Sequence, residues 1–138
     1  MGADPEILHA LLSFLEDSLV TYICHQIDCG AQVVQLFDSW AHHLSPSQFL
    51  TFSLPYSNRV VERVRRLRPG VPLILHANGG AGKLTQMAEG WVADVAGLDW
   101  NTDMGEARKV LGPKRVLQVG GAPLPPLLTY RLVVAGLG

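Results

Sequence analysis

Basic residues are not in excess in this sequence. Its 138 residues include 11 lysines and arginines and 12 aspartates and glutamates, for a formal net charge of −1. Nucleic-acid-binding domains usually carry a strong positive excess, so we expect no nucleic-acid partner. The one basic cluster, from Arg59 to Arg68, is interpreted as a solvated helix end rather than an anion site.

Long apolar runs are also missing. The sequence has no uninterrupted run of the roughly 18 apolar residues that a spanning helix needs. It also has no basic leader followed by an apolar stretch. These absences predict no membrane span and no secretory signal, and they favour a soluble protein.

Cysteine is scarce, since only Cys24 and Cys29 are present. Their spacing matches no zinc motif, and we expect two reduced thiols rather than a disulfide. The histidines add little, because the adjacent His42 and His43 are expected to point apart and His76 stands alone in a strand. Without a third ligand at suitable spacing, the sequence predicts no metal site.

Short apolar segments alternate with helical ones along most of the chain. Asp4-Pro5 and Ser45-Pro46 are typical helix starts, and Pro55 predicts a break within the second helix. Strands are predicted at residues 32–37, 71–77, 92–98 and 115–118. This alternation predicts an α/β fold with a parallel sheet and right-handed crossovers.

The last segment differs in composition. Residues 119–138 contain one charged side chain, Arg131, and three prolines within four positions, and they do not continue the alternation. We therefore divide the chain into an α/β unit over residues 1–118 and a divergent, poorly specified apolar tail over residues 119–138. A short apolar helix is expected over residues 127–134.

Polar residues follow each predicted strand. In parallel α/β folds the carboxyl ends of the strands meet at one rim, where ligands bind. We therefore predict a functional rim; the alternative is that these are ordinary polar loop residues and helix caps. The rim residues are Asp38, Ser39 and Trp40, then Asn78, Gly79 and Gly80, then Asp99 and Trp100, and finally Gln118.

The residue types at the rim favour binding over covalent chemistry. Ser39 lacks the flanking glycines of a nucleophile elbow, so its hydroxyl is interpreted as a donor to a carboxylate or carbonyl group. Asp38 and Asp99 have two open interpretations, as an acid–base pair or as braces for neighbouring loops. The turn from Asn78 to Gly82 matches no phosphate-binding motif, and its glycines are interpreted as permitting a tight turn or a close ligand.

Several motifs together carry a resemblance to a known family. The most specific is the run from Gln26 to Pro46, which contains Gly30-Ala31-Gln32 and Asp38-Ser39-Trp40-Ala41. Further matches are Phe52-Ser53-Leu54-Pro55-Tyr56, Gly79-Gly80-x-Gly82-x-Leu84, Gly97-Leu98-Asp99-Trp100 and Leu111-Gly112-Pro113. Over about residues 4–118, the sequence resembles the uroporphyrinogen decarboxylase family.

The resemblance implies an incomplete (β/α)8 TIM barrel of about four parallel strands with alternating helices, from the middle-to-late half of the family's fold. It implies decarboxylation of the four acetate side chains of uroporphyrinogen III to coproporphyrinogen III, in porphyrin, heme and chlorophyll biosynthesis, without metal or organic cofactor. It also implies homodimers in full-length members and location in the cytoplasm or plastid stroma. Ser39 matches the family's substrate-contacting serine.

Two departures from the family stand out. The family's Gln-Gly-Asn-x-Asp-Pro motif reads Gln118-Val119-Gly120-Gly121-Ala122-Pro123 here, and His42 replaces the usual glycine after Ala41. The family's arginine-rich segment, its aspartate facing the pyrrole nitrogens, its tyrosine and its C-terminal histidine have no matching motif. The isolated chain is therefore expected to be inactive.

Two other hypotheses stay open. One is a corrinoid or thiol methyltransferase of the same fold, although His76-Ala77-Asn78 lacks the thiolate that zinc-activated thiol chemistry favours. The other is a non-catalytic remnant that only binds a tetrapyrrole.

Overall fold

A computed structural model of the chain describes residues 4–120 and 130–133. Within these ranges, helices and strands alternate. Two short 3-10 turns, Ala41–His43 and Gly80–Lys83, lie just after the first and second strands. The elements are α1 (Pro5–Asp28), β1 (Val34–Asp38), α2 (Pro46–Phe52), α3 (Leu54–Leu67), β2 (Leu73–Ala77), α4 (Leu84–Gly90), β3 (Val95–Leu98), α5 (Met104–Leu111), β4 (Val116–Gly120) and β5 (Tyr130–Val133).

The strands form one sheet in the order β1-β2-β3-β4-β5. The first four run parallel, and each pairs with the next one along the chain. Consecutive parallel neighbours joined by helices are the arrangement found in a β/α barrel. The predicted fold class, four parallel strands with alternating helices from an incomplete barrel, is thereby confirmed.

The start signals in the sequence act as predicted. Asp4 caps α1 by accepting a hydrogen bond from the Glu6 backbone N–H at 2.9 Å. Ser45 and Gln48 form a reciprocal capping box at the start of α2. Pro55 lies in the first turn of α3, and the predicted helix is split into α2 and α3 at Ser53.

The strand bounds differ from the predicted ones. β1 begins at Val34 rather than at residue 32, and β3 begins at Val95 rather than at residue 92. The backbone ahead of β3 is bound by side chains instead, because Arg65 donates to the Val92 carbonyl at 3.0 Å. Apolar composition alone therefore overestimates the length of these strands.

β5 corrects the expectation for the last segment. It pairs antiparallel with β4, with Leu117 opposite Val133 and Gly120 opposite Tyr130. The helix expected over residues 127–134 is wrong at Tyr130–Val133, and the rest of that range lies outside the described residues. The outer edge of β4 presents backbone N–H and C=O groups that need hydrogen-bond partners. Pairing of Tyr130–Val133 with this edge outweighs the local preference of these residues for a helix. The boundary at residue 118 stays a prediction.

The two faces of the sheet have different surroundings. Alternate residues on one face pack against the helices and form the core, because successive side chains of a strand point to opposite faces. Phe49 of α2 and Met87 of α4 cover this face and are 1% and 0% exposed. The strand residues buried on it are Val34, Leu73, Leu75, Ala77, Ala96, Leu98 and Leu117.

The arginine cluster joins two helices. Arg59 donates to Glu16 at 3.0 and 3.2 Å, and Arg63 donates to Asp17 at 2.7 Å. Arg68 pairs with Asp28 at 2.6 Å, which lowers the pKa of that carboxyl group through a side-chain hydrogen bond. The cluster does include the basic last turn of α3 that was predicted, with Arg65 and Arg66. The ion pairs between three arginines of α3 and its C-cap and acids of α1 were not predicted.

Arg59→Met is expected to lower the free energy of unfolding by about 2 kcal/mol, a value between those of exposed and buried ion pairs. Glu16 is only 6% exposed, and the change leaves Arg63 as its nearest cation, at 3.9 Å. Urea unfolding measures the difference. Arg66→Met is the control, because Arg66 is exposed and makes no ion pair within the described residues. Equal midpoints for the two variants would contradict the expectation.

α1 leaves much apolar surface uncovered. It is long and apolar enough to cross a membrane by length and composition, contrary to the prediction of no membrane span. The core helix of a soluble protein passes the same test, so length and composition alone do not decide between the two. The apolar stripe of α1 comprises the exposed residues Ile7, Leu11, Phe14, Leu15, Leu19 and Tyr22.

Candidate functional site

Hydrogen bonds join the loops that follow the first three strands. The Asn78 backbone N–H donates to the Asp38 carbonyl at 3.1 Å, and the Asn78 side-chain amide donates to the Ser39 carbonyl at 3.2 Å. The Gly79 N–H donates to Asp99 Oδ2 at 2.9 Å. The structure thus brings Ser39, Asn78 and Asp99 to one rim at the carboxyl ends of β1, β2 and β3.

The two aspartates of the rim are engaged in local contacts. Asp99 is 6% exposed, and its second oxygen accepts from the hydroxyl of Thr102. Asp38 accepts a hydrogen bond from the hydroxyl of Ser53. The contacts of Asp99 with Gly79 and Thr102 hold loop segments together, and the contact of Asp38 with Ser53 holds the start of α3. Neither carboxylate contacts the other within the described hydrogen bonds.

The glycine turn packs tightly against the loop after β1. Gly79 has φ +70°, and a Cβ atom there would lie 2.8 Å from both Cα and Cβ of His42. Gly80 is less constrained, because its nearest neighbour, a methyl group of Leu98, would lie 3.5 Å from an added Cβ. The turn therefore needs glycine at position 79 for both its backbone conformation and its contact with His42.

Ser39 presents an uncommitted hydroxyl group. Its residue is exposed, and the hydroxyl makes no hydrogen bond within the part of the chain that the structure describes. The carbonyl of Ser39 instead anchors the loop by contacts with His42 Nδ1 at 3.0 Å and Asn78. The backbone at Ser39 is therefore held while its side chain is available to a ligand.

The aromatic side chains of the rim form a stack. The rings of His42 and His43 lie 3.9 Å apart between centroids, and Trp40 stacks on them at 6.0 and 5.1 Å. The expectation that the two histidines point apart is wrong, because both rings gather against Trp40 in the 3-10 turn. Trp100 is exposed after β3. No group of three or more histidines, cysteines, aspartates or glutamates that could hold a metal occurs among the described residues.

Lys83, which directly follows the glycine turn, is a buried basic residue that was not predicted as part of the site. Lys83 is 5% exposed, and its ammonium group donates to the Gly79 carbonyl at 3.3 Å. It also faces the ring of Phe49 at 6.0 Å. Lys83 follows Gly79 by four residues, and this spacing was the sequence signal that could have indicated their contact. The 3-10 turn that brings the Lys83 side chain back under the loop was not predicted.

Gln118 and His76 lie away from these contacts. Gln118 is 9% exposed and makes no hydrogen bond with the other rim residues. His76 was treated as a strand residue, although burial lowers its pKa while the nearby charges of Asp99 and Asp38 oppose that shift. Both belong to the sheet face that the helices leave uncovered.

An apolar cleft of about 320 Å³ lies elsewhere, between α1, β1, α2 and α3. Its lining includes Leu12, Leu19, Leu36 and Val60, with Asp38 and Trp40 also contributing. The cleft is on the helical side, beside the outer edge of β1, and it meets the strand-end rim at Asp38 and Trp40. Its apolar walls fit packing with protein better than binding of an acidic ligand.

Four consecutive parallel strands with helices between them, and with the polar turns after the first three joined at the carboxyl ends, define part of a β/α barrel. A family model described as uroporphyrinogen decarboxylase (URO-D) matches residues 1–128. The chain belongs to the uroporphyrinogen decarboxylase family. The match extends past residue 118, where the motif similarity ends.

Individual relatives agree with the family model. The chain is 49% identical over 116 residues to the uroporphyrinogen decarboxylase of Gloeobacter violaceus, which covers 84% of this chain and 33% of the relative. It is 49% identical over 126 residues to that of Crocosphaera subtropica, covering 91% of this chain and 35% of the relative. The chain therefore spans about a third of the length of these curated relatives.

Proposed function

We propose that this chain is part of a uroporphyrinogen decarboxylase, which converts uroporphyrinogen III to coproporphyrinogen III in porphyrin, heme and chlorophyll biosynthesis. The observation that carries the proposal is the rim in which Asn78 holds the Ser39 carbonyl at 3.2 Å while the Ser39 hydroxyl stays available. The 49% identity to full-length decarboxylases supports it. The reaction removes carbon dioxide from four acetate side chains of the macrocycle.

The proposed chemistry requires positioning more than reactive side chains. Protonation of a pyrrole ring lets the macrocycle accept the electron pair that carbon dioxide leaves behind. The Ser39 hydroxyl would donate a hydrogen bond to a substrate carboxylate, a type of bond that is stronger than one between neutral groups. The hydrogen bonds from Gly79 to Asp99 and from Asn78 to Ser39 keep this donor in a fixed place. Neither a metal ion nor an organic cofactor is needed for these roles.

The activity belongs to a complete barrel in this proposal. β1 has no partner on its outer side within the described residues, and the apolar stripe of α1 is exposed. Open edges and uncovered apolar faces leave the substrate cavity incomplete. We therefore expect the 138-residue chain alone to release no coproporphyrinogen. Homodimer formation, a location in the cytoplasm or plastid stroma, and the absence of nucleic-acid and membrane partners belong to the same proposal.

A chimera tests the proposed function directly. Residues 4–118 of this chain replace the corresponding third of the Gloeobacter violaceus relative, and conversion of uroporphyrinogen to coproporphyrinogen is followed by chromatography. An active chimera is expected, because the rim loops and their hydrogen bonds come from this chain. A folded chimera without decarboxylase activity would contradict the proposal.

Within this chimera, Ser39→Ala is expected to lower kcat/KM by about tenfold to a hundredfold, the loss expected for one hydrogen bond to a charged group. Ser18→Ala is the matched control, since Ser18 is an exposed serine of α1 far from the rim in sequence. Its kcat/KM should remain unchanged. Equal activities for the two variants would remove Ser39 from the proposed substrate site.

A further inference from the structure

The carbonyl group of Ser39 has two donors within reach. The Asn78 side-chain amide donates to it at 3.2 Å, and His42 Nδ1 lies 3.0 Å from it. A carbonyl oxygen has two lone pairs, so both contacts can be made at once. The backbone that carries the Ser39 hydroxyl is thus held from two directions, by the loop after β2 and by the 3-10 turn of its own loop.

The contact with Ser39 decides which nitrogen of the His42 ring carries the proton. A carbonyl oxygen only accepts hydrogen bonds, so this contact requires a proton on Nδ1. The Asn78 amide nitrogen lies 3.3 Å from the same Nδ1, and a hydrogen bond there would require Nδ1 without a proton. The contact with Ser39 is shorter, and the Asn78 amide already has the Ser39 carbonyl as its acceptor. Nδ1 is therefore the donor, and the neutral ring has no proton on Nε2.

The loops after β2 and β3 support His42. Asp99 accepts a hydrogen bond from the Gly79 N–H at 2.9 Å, and a Cβ atom added at Gly79 would lie 2.8 Å from His42 Cα. The His42 ring lies 3.9 Å from the ring of His43 and 6.0 Å from that of Trp40, between centroids. These contacts restrict the imidazole to one place, from which Nδ1 reaches the carbonyl group.

His42 is also a departure from the family that the chain resembles, in which glycine usually follows Ala41. Glycine has no side chain and therefore no group that could donate to the Ser39 carbonyl. The second donor is thus a feature of this chain, and family membership does not imply it. It bears on the site because Ser39 is the proposed contact for a substrate carboxylate.

We propose that His42 is a positioning residue, which holds the Ser39 hydroxyl ready for a substrate carboxylate through the hydrogen bond from its Nδ1 atom. The proposal rests on the proposed function and adds a residue to its site. A donor that is held in place before the ligand arrives loses less conformational freedom on binding, so less of the interaction energy is lost. His42 acts through Ser39 and needs no contact of its own with the macrocycle.

The position of the proton can be measured on the 138-residue chain without substrate. The histidine rings are labelled with the heavy nitrogen isotope and observed by NMR in their neutral state, because the chemical shift of a ring nitrogen depends on whether it carries a proton. The spectrum of His42→Gln identifies the signals of His42. We expect the proton on Nδ1. A proton on Nε2 instead overturns the proposal, whatever the activity of the chimera.

In the chimera, His42→Ala is expected to lower kcat/KM by about threefold to tenfold, the effect of one neutral hydrogen bond. His42→Asn should recover most of this loss, because its amide nitrogen takes the place of Nδ1. His42→Gln puts its amide where Nε2 was and should not recover it. Recovery by glutamine rather than asparagine would indicate a direct contact of Nε2 with the ligand and overturn the proposal.

A double-mutant cycle separates positioning from a general weakening of the loop. When Ser39→Ala is already present, His42→Ala should change kcat/KM by less than about twofold, because the hydroxyl that His42 positions is gone. A loss by the same factor with and without the Ser39 hydroxyl would show that the imidazole only supports the fold, and the positioning role would be refuted.

The outcomes separate this proposal from the proposed function. An active chimera whose kcat/KM is unchanged by His42→Ala keeps the decarboxylase assignment and overturns the positioning role. An inactive chimera refutes the assignment itself. The positioning role then falls with it, because Ser39 has no substrate carboxylate to hold.

Discussion

Gly79→Ala is expected to lower the free energy of unfolding by about 2–4 kcal/mol. Gly79 has φ +70°, a left-handed conformation that costs a residue with a Cβ atom about 1–2 kcal/mol. The added methyl group would also lie 2.8 Å from the backbone Cα of His42, which cannot rotate away as the end of a side chain could. Urea unfolding followed by circular dichroism measures the loss.

Gly82→Ala provides the matched control for this change. Gly82 lies in the same turn, has no atom within 4 Å of an added Cβ, and should change stability little. Adding His42→Gly to Gly79→Ala should restore only part of the loss, because the His42 Cα and the left-handed backbone remain. If the two alanine variants unfold at the same urea concentration, the turn does not require glycine at position 79.

Phe49→Ala is expected to be the most destabilising change, with a loss of about 3–5 kcal/mol. Phe49 is 1% exposed in the core between the sheet and the helices, and the truncation leaves a cavity below Lys83. Phe14→Ala is its control, because Phe14 is 70% exposed on α1 and should change stability by less than about 0.5 kcal/mol. Similar losses for both variants would show that the described core is wrong.

Local signals in the sequence were sufficient to predict most of the helices and strands and the parallel direction of the first four strands. Caps such as Asp4 and Ser45, the break at Pro55 and the alternation of apolar strands with helices predict the element order and the parallel sheet. The rim followed from one geometric fact, that parallel strands deliver their carboxyl ends to one edge. Each of these signals operates within a few residues of the chain.

Contacts between distant residues could not be predicted in this way. Glu16 and Arg59 are 43 residues apart, and nothing local indicates that one buries its carboxylate against the other. The burial of Lys83 depends on how the glycine turn packs. The stacking of His42 and His43 on Trp40 depends on how the 3-10 turn orients the three rings. Gln118 was predicted as a rim residue, but the lack of a donor to its Oε1 atom among the described residues becomes visible only when its surroundings are known.

The antiparallel course of β5 has a consequence for completing the barrel. β5 occupies the hydrogen-bonding edge of β4 that the next parallel strand of a β/α barrel would use. Growth of the sheet on that side therefore demands an exchange of partners, in which an incoming strand displaces Tyr130–Val133, rather than simple addition. Among residues 4–120 and 130–133, no strand pairs with the outer edge of β1, so a strand added there would displace nothing that the structure describes. The two edges of the sheet therefore differ in how easily a complementing polypeptide could extend them.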